Sequence, residues 1–514
     1  MNGAETLVKT LLASGVNVCF ANPGTSEMHF VAALDRHSEM RCILCLFEGG
    51  VSGAADGYYR MTGKVAATLL HLAPGFGNAF ANLHNARKAQ SGVLNIMGDH
   101  ADYHLQFEAP LKGDTVGVAQ AVSHWTRVSS EAGRVAVDAA DGIQVARSKG
   151  GQIATLILPA NTAWEATTGF AVAAPAPALR RPSPAEVEAA ARALRQPGAV
   201  LLIDGPALWS DLGHLAKRLT KAAGARLMQP YFVSRMRQGA GAVRIERMAY
   251  RIVDNQKRLA GVPSLVLCGT ARPAGFFAYP GLPSTPDDPD TRLIDLCSRE
   301  MDIGWTLQAL AKELGEADLG PEDFVPFDLP ALPEGDLTLT KIGEAVAVLM
   351  PEDAVVVDEG VSSSYFLAPG LKRARGHDVL TITGGSIGFG LPSAVGAAVA
   401  CPDRKVVVLE GDGSGMFTLQ SLWTMAREGL DVTTVIFANR GYQILRDELT
   451  AMGVNEIGRN ARQMFNVEGP SLDWVALAQG HGVQAVRVTD MAGFNTAFAE
   501  AMNQRGPRLI EVVC

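Results

Sequence analysis

Charged residues are scarce in this 514-residue chain: they make up 19%, and the formal net charge is −8. Soluble domains usually carry about 25%. That negative balance argues against a nucleic-acid binder, which would want basic surface for phosphates. No run of about 18 uncharged apolar residues occurs, so no membrane span is expected. The start, Met1-Asn2-Gly3-Ala4-Glu5, has no basic region followed by a secretory apolar core. The cytoplasm is the expected compartment. Seven cysteines are scattered along the chain, too few and too dispersed for a disulfide framework. Cys42 and Cys45 form a C-x-x-C inside the apolar run 42–47. With no second pair to complete a zinc site, the run reads as a buried strand. No internal repeat stands out, which sets solenoids aside.

What is present is apolar residues, at 47%, and 54 glycines. The length is too great for one core and predicts about three domains. Strand-like and helical segments alternate throughout, the pattern of parallel α/β layers. Strands are predicted at 16–20, 153–158, 200–203, 265–268, 354–357, 406–409, 434–437 and 509–513. Helices are predicted at 4–14, 184–194 and 391–400. Ser183-Pro184-Ala185-Glu186 supplies an N-cap, a first-turn proline and a first-turn acid. Two Pro-rich stretches, 167–184 and 314–336, read as linkers. They divide the chain into 1–167, 184–314 and 337–514, three doubly wound parallel-sheet domains.

The chemistry concentrates in the third piece. The strand at 406–409 ends in Glu410-Gly411-Asp412-Gly413-Ser414-Gly415, and the strand at 434–437 ends in Ala438-Asn439-Arg440-Gly441-Tyr442. Both turns should open at one edge of a parallel sheet, where α/β proteins bind ligands. Asp412 and Asn439 offer hard oxygens suited to Mg²⁺, and glycines admit phosphates to backbone N–H groups. In the first piece, Phe47-Glu48-Gly49-Gly50 sets one carboxylate between an apolar strand and a helix of small residues. A half-buried carboxylate there is placed to share a proton with a ligand base.

The turn pair resembles the motif of thiamine-diphosphate enzymes, a Gly-Asp-Gly followed after a helix and a strand by Asn-Asn. Twenty-four residues, 414–437, separate Gly413 from Ala438, which stands where the first Asn would be. The resemblance implies that Asp412, Asn439 and the Gly441 carbonyl hold Mg²⁺. It implies that Gly411, Gly413, Ser414, Ser362, Ser363 and Tyr442 contact thiamine diphosphate. Glu48 resembles the glutamate that hydrogen-bonds N1′ of the aminopyrimidine and so favours deprotonation of thiazolium C2. The stretch Phe20-Ala21-Asn22-Pro23-Gly24-Thr25-Ser26-Glu27 resembles a first active-site loop of benzoylformate decarboxylase and the acetolactate synthase large subunit. His71-Leu72-Ala73-Pro74-Gly75 resembles the second loop, so His71 and Thr25 match a catalytic histidine and serine. Nearby His84, His100 and His104 read as structural. Gly384-Gly385-Ser386-Ile387-Gly388 matches the segment whose bulky residue, here Ile387, props the cofactor into a bent shape that brings its reacting atoms together. Phe276 stands where the decarboxylase has a second histidine, and Phe276 with Leu445 would form the apolar pocket wall.

The family resemblance implies an enzyme that cleaves or forms the bond beside a 2-oxo acid carbonyl, as a decarboxylase or an acetolactate synthase-like carboligase. It implies a homodimer or homotetramer with active sites between subunits. A flavin-containing synthase or oxidase, and a non-catalytic regulatory subunit, are the alternatives. The middle piece lacks a G-x-G-x-x-G and has only Asp204-Gly205-Pro206-Ala207 after its first strand, so no flavin is expected.

Overall fold

A computed structural model describes every residue except Asn455. Among the described residues, three sheets carry the fold. The first comprises β1 (Val18–Ala21), β2 (Arg41–Leu44), β3 (Ala66–Leu70), β4 (Val93–Asp99), β5 (Trp125–Val128) and β6 (Ile153–Pro159), in the order β2-β1-β3-β4-β6-β5. The second comprises β7 (Val200–Ile203), β8 (Arg226–Gln229), β10 (Glu246–Arg247), β11 (Ser264–Cys268) and β12 (Arg292–Cys297), in the order β10-β8-β7-β11-β12. The third comprises β13 (Val355–Glu359), β14 (His377–Thr381), β15 (Val406–Gly411), β16 (Val432–Ala438), β17 (Gln484–Val488) and β18 (Arg508–Val513). It is extended by β9 (Met236–Gln238), giving β17-β18-β16-β15-β13-β14-β9. All pairs are parallel except β9 on β14. Thus a short strand from the middle stretch crosses to cover the edge of the third sheet, where an open row of N–H and C=O groups would invite foreign pairing. No described helix is long and apolar enough to cross a membrane.

The strand carrying Cys42 departs from expectation. It is an edge strand, and of the two cysteines Cys42 is exposed while Cys45, one residue beyond the strand, is buried. Among the helices, α1 (Gly3–Ala13) and α4 (Pro184–Leu194) form as their caps predict, and Ser183 Oγ accepts the Glu186 N–H. Between them lie α2 (Glu48–Thr62) and α3 (Leu72–Ala89); α5 (Gly390–Ala400) and α6 (Gln443–Ala451) belong to the third sheet's part of the chain.

Helix α2 contains four glycines, each costing about 1 kcal/mol relative to alanine in a helix interior. Close packing offsets that cost. A Cβ on Gly57 would lie 2.1 Å from the Ser393 carbonyl oxygen, and one on Gly396 would lie 1.9 Å from the Ala54 carbonyl oxygen. The backbones of α2 and α5 therefore touch. One core runs across both, joining Val51, Ala54 and Phe76 to Val357, Leu391 and Ile436.

The third sheet also buries two acids on adjacent strands, Glu359 and Glu410, which are register partners. Glu359 accepts the N–H groups of Gly388 (2.8 Å) and Gly390. The Glu410 carboxyl has no other donor and lies against that of Glu359. Burial pushes Glu359 up to about 7. Burial and then the facing Glu359 charge push Glu410 well above the usual carboxylate range. Like charges so close cannot both ionise.

Two outcomes follow from this packing. Gly57→Val should destabilise the protein by about 1–3 kcal/mol through overpacking, read from the denaturant midpoint; an unchanged midpoint would mean that α2 and α5 can separate freely. Because both carboxyls are raised, the folded state holds protons that the unfolded state releases. Stability from the pair is therefore present below the ordinary 4.5 and lost as pH rises through about 7. Glu410→Gln should flatten that loss, worth roughly 1.4 kcal/mol per pH unit per proton, in unfolding free energies measured across the window. Identical slopes for both proteins would contradict the shared proton.

Candidate active site

The third sheet reverses its winding between β13 and β15: β14 follows β13 to one side, while β15 and β16 lie on the other. Ligands of open α/β sheets bind at the carboxyl ends of strands at such a switch point. The turn after β15 carries Gly411, Asp412, Gly413 and Ser414, and the turn after β16 carries Asn439, Gly441 and Tyr442. Ser362 and Ser363 follow β13, beside Val361, whose φ of 49° is unusual for a β-branched residue. Such strain concentrates at ligand clamps. Arg440, at φ 56°, bends the Asn439 turn in the same way.

Asp412 is 3% exposed. Its Oδ1 accepts the Gly413 N–H at 2.8 Å and its Oδ2 the Arg440 N–H at 2.7 Å. Among the described residues no Lys, Arg or His pairs with it. Burial raises its pKa, so the site favours a positive partner. Asn439 Oδ1 accepts the Gly441 N–H at 3.1 Å, holding the turn closed. No cluster of three His, Cys, Asp or Glu side chains exists among the described residues. A divalent cation here would take one carboxylate, one amide oxygen and a backbone carbonyl, leaving positions for phosphate oxygens. The Tyr442 ring lies over Gly413, where a Cβ would stand 2.5 Å from it. The donors and the cradle fit Mg²⁺ with a diphosphate.

Ile387 is half-buried in the turn before α5. Phe276 packs against that turn, with ring atoms 2.8 Å from where a Gly385 Cβ would be, and is 43% exposed. It sits in an aromatic group with Phe277 (4.9 Å between ring centroids), Tyr250 (5.5 Å) and Phe232 (5.9 Å). Leu445, 40% exposed, lies on α6. One turn further, Glu448 accepts hydrogen bonds from Tyr279 (2.8 Å) and Tyr250 (3.3 Å), tying α6 to the aromatic group.

A second cluster belongs to the first sheet. Glu48 is the first residue of α2 and is 7% exposed, more deeply buried than its sequence suggests. Its Oε2 accepts from Asn78 Nδ2 at 3.0 Å. His71 caps α3, ahead of Leu72 at φ 48°. The His71 Nδ1 stands 3.0 Å from Glu27 Oε2 and 3.3 Å from Ser26 Oγ. Glu27 is buried, takes the Gly24 N–H at 2.8 Å and the Ser26 hydroxyl at 2.5 Å, and so fixes the imidazole. Gly24 is required where it stands, because a Cβ there would overlap the ring at 2.1 Å. Thr25 is exposed and its hydroxyl bonds to none of these groups, so Ser26 and Glu27 rather than Thr25 meet His71. The signal for Glu27 was its place three residues after Gly24, a capping acid that folds its own turn. His84 bonds the Gly384 carbonyl at 3.2 Å, a structural contact.

Comparison with known proteins places this geometry. Residues 1–124 match the family described as thiamine pyrophosphate enzyme, N-terminal TPP binding domain, and residues 362–512 its C-terminal TPP binding domain. The Mycobacterium tuberculosis protein named "Putative acetolactate synthase large subunit IlvX" is 46% identical, over 100% of this chain and 99% of that one. Benzoylformate decarboxylase of Pseudomonas aeruginosa is 27% identical, over 97% and 96% of the two chains. In fold, the chain resembles the thiamine diphosphate-dependent 4-hydroxybenzoylformate decarboxylase of Rhodococcus jostii RHA1, with a TM-score of 0.84 at 24% identity over 99% and 98% of the two chains. Glu48 thus lies in one matched cofactor domain and Asp412 in the other. The chain belongs to the thiamine pyrophosphate enzyme family.

Proposed function

We propose that this chain holds thiamine diphosphate and Mg²⁺ at the switch point of the third sheet and cleaves the carboxylate from a 2-oxo acid. The remaining acyl group leaves as an aldehyde or is joined to a second carbonyl compound. The observation that carries this reading is the buried Asp412 carboxylate, satisfied only by backbone N–H groups and set beside Asn439. Asp412, Asn439 and the Gly441 carbonyl would hold Mg²⁺. Gly411, Gly413, Ser414, Ser362, Ser363 and Tyr442 would meet the diphosphate. When bound, thiamine diphosphate supplies a carbon nucleophile and an electron sink for the bond that breaks.

The chain's own groups do the rest. Glu48 holds a proton at the aminopyrimidine ring. Glu27 engages His71 Nδ1, which orients the imidazole and leaves Nε2 to exchange a proton with substrate. Ile387 sets the bend of the cofactor, and Phe276 and Leu445 line the side that receives an apolar group. Glu48 bonds Asn78, Asp412 bonds only the N–H groups of its own turns, and no hydrogen bond joins the two among the described residues, which supports sites completed between subunits of a homodimer or homotetramer. Helix α6 and the helix Arg459–Phe465 bury no residue within the chain, which also supports a covering partner. Seven free thiols agree with a reducing cytoplasm.

The flavin-containing alternative finds no support in the second sheet. At the ends of β7 and β11, the Asp204 carboxylate is engaged by Arg299 and by the Gly205 N–H. Pro206 has no N–H to offer, and the Ile303 side chain covers Gly205 and Gly269. These residues do not fit a dinucleotide pyrophosphate.

Glu48→Gln should lower CO₂ release from a panel of 2-oxo acids by about 100-fold or more, with the far-ultraviolet circular dichroism unchanged. Turnover at the wild-type rate would remove Glu48 from this role.

A further inference from the structure

The turn that presents Ile387 has almost no secondary structure to hold it. Gly385 and Gly388 sit at φ 74° and 92°, and fixing glycine there costs the chain more conformational freedom than fixing any other residue. Side chains hold it instead. From the third sheet, Glu359 takes the N–H groups of Gly388 and Gly390, and Thr418 Oγ1 donates to the Gly388 carbonyl at 3.0 Å. Further hydrogen bonds come from α3, whose N-cap is His71 of the other cluster.

Asn85 clasps Ser386 on both sides: its Oδ1 accepts the Ser386 N–H at 3.2 Å and its Nδ2 donates to the Ser386 carbonyl at 2.8 Å. The same Nδ2 donates to Asn82 Oδ1 at 3.0 Å. Asn82 Nδ2 in turn donates to the Gly388 carbonyl at 3.0 Å and to the Gly49 carbonyl at 2.9 Å. Both side chains are buried, Asn82 at 2% exposure. All four amide N–H bonds of the pair are used, and each neighbour of Ile387, Ser386 and Gly388, is gripped. Asn82 bridges the residue after Ile387 and the residue after Glu48.

A pair serving only to fill the core could be exchanged for apolar residues of the same volume at little cost. A fully satisfied buried polar network instead selects one backbone position over others. We propose that Asn82 and Asn85 are positioning residues: they fix the height of the turn that presents Ile387 to the cofactor by anchoring it to helix α3 and to the start of α2 in the same chain. This inference rests on the thiamine-diphosphate reading above.

Two variants, Asn85→Ala and the milder Asn82→Ser, test it in the full-length protein. In the cofactor-free protein, amide hydrogen exchange over residues 384–390 should quicken while the strands of the third sheet keep their protection. In the protein loaded with thiamine diphosphate and Mg²⁺, the rate of C2–H/D exchange per bound cofactor, read by acid quench and proton NMR, should fall about tenfold or more, because a small misplacement spoils proximity. Cofactor affinity by calorimetry should change far less. Unchanged C2 exchange per bound cofactor, with only the melting temperature lowered, would overturn the proposal and leave the pair a stabilising role. Should Asn85→Ala fail to fold, Asn82→Ser decides by the same readouts. A wild-type protein that binds no thiamine diphosphate would overturn the functional reading itself, and this inference with it.

Discussion

Everything that matters chemically in this chain is referenced to one contact, the backbone-to-backbone meeting of α2 and α5. Glycine at 57 and 396 lets the two helices approach until a carbonyl oxygen fills the space a Cβ would need. Each helix starts at one of the candidate site turns: α2 begins with Glu48, and α5 begins three residues after Ile387. Fixing the helices therefore fixes both turns. Arg60, near the end of α2, reinforces this. It pairs with Asp56 within the helix and reaches the Thr381 carbonyl (2.7 Å), the Ser234 carbonyl (3.2 Å) and the Phe389 ring. One buried guanidinium thus gathers segments of all three parts of the chain. Satisfying it so completely is what makes a buried charge tolerable.

The two clusters differ in how they are built. The Asp412–Asn439 turn pair is assembled from two neighbouring strand ends, with Arg440 at φ 56° bending the second turn. The His71 cluster is assembled across the first sheet, with Glu27 reaching over 44 positions to orient the ring. The aromatic group beside the Ile387 turn is assembled across distant parts of the chain. Phe276 rests on the Ile387 turn, and Glu448 links α6 to Tyr250 of the aromatic group and to Tyr279. Phe276 puts a phenyl ring beside that turn, and on the proposed reading His71 with its Glu27 partner would handle protons.

Local features were legible in the sequence because local rules set them. Apolar runs such as 200–203 became strands, the Ser183 cap became a helix start, and a Gly-Asp-Gly after a strand became the turn of a sheet switch point. Features that depend on distant partners were not. Nothing at 236–238 marks a strand that crosses to β14, since its pairing is with residues 140 positions away. Cys42 reads as buried only if β2 has neighbours on both sides, and it is an edge. Thr25 was the natural match to a catalytic serine, yet Ser26 and Glu27 turn toward His71 because the Gly24 turn folds back on its own acid. Asn82 and Asn85 look like ordinary helix-surface amides until α5 and the Ile387 turn, 300 positions on, lie against them.

The central claim is that Asp412 and Asn439 make one site for a divalent cation and a diphosphate. Calorimetric titration of metal-stripped protein with thiamine diphosphate, with and without Mg²⁺, tests it most directly, with Asp412→Ala as the paired protein. The account requires binding that depends on Mg²⁺ and is lost in the variant. Binding that ignores Mg²⁺, or that survives Asp412→Ala, would contradict it.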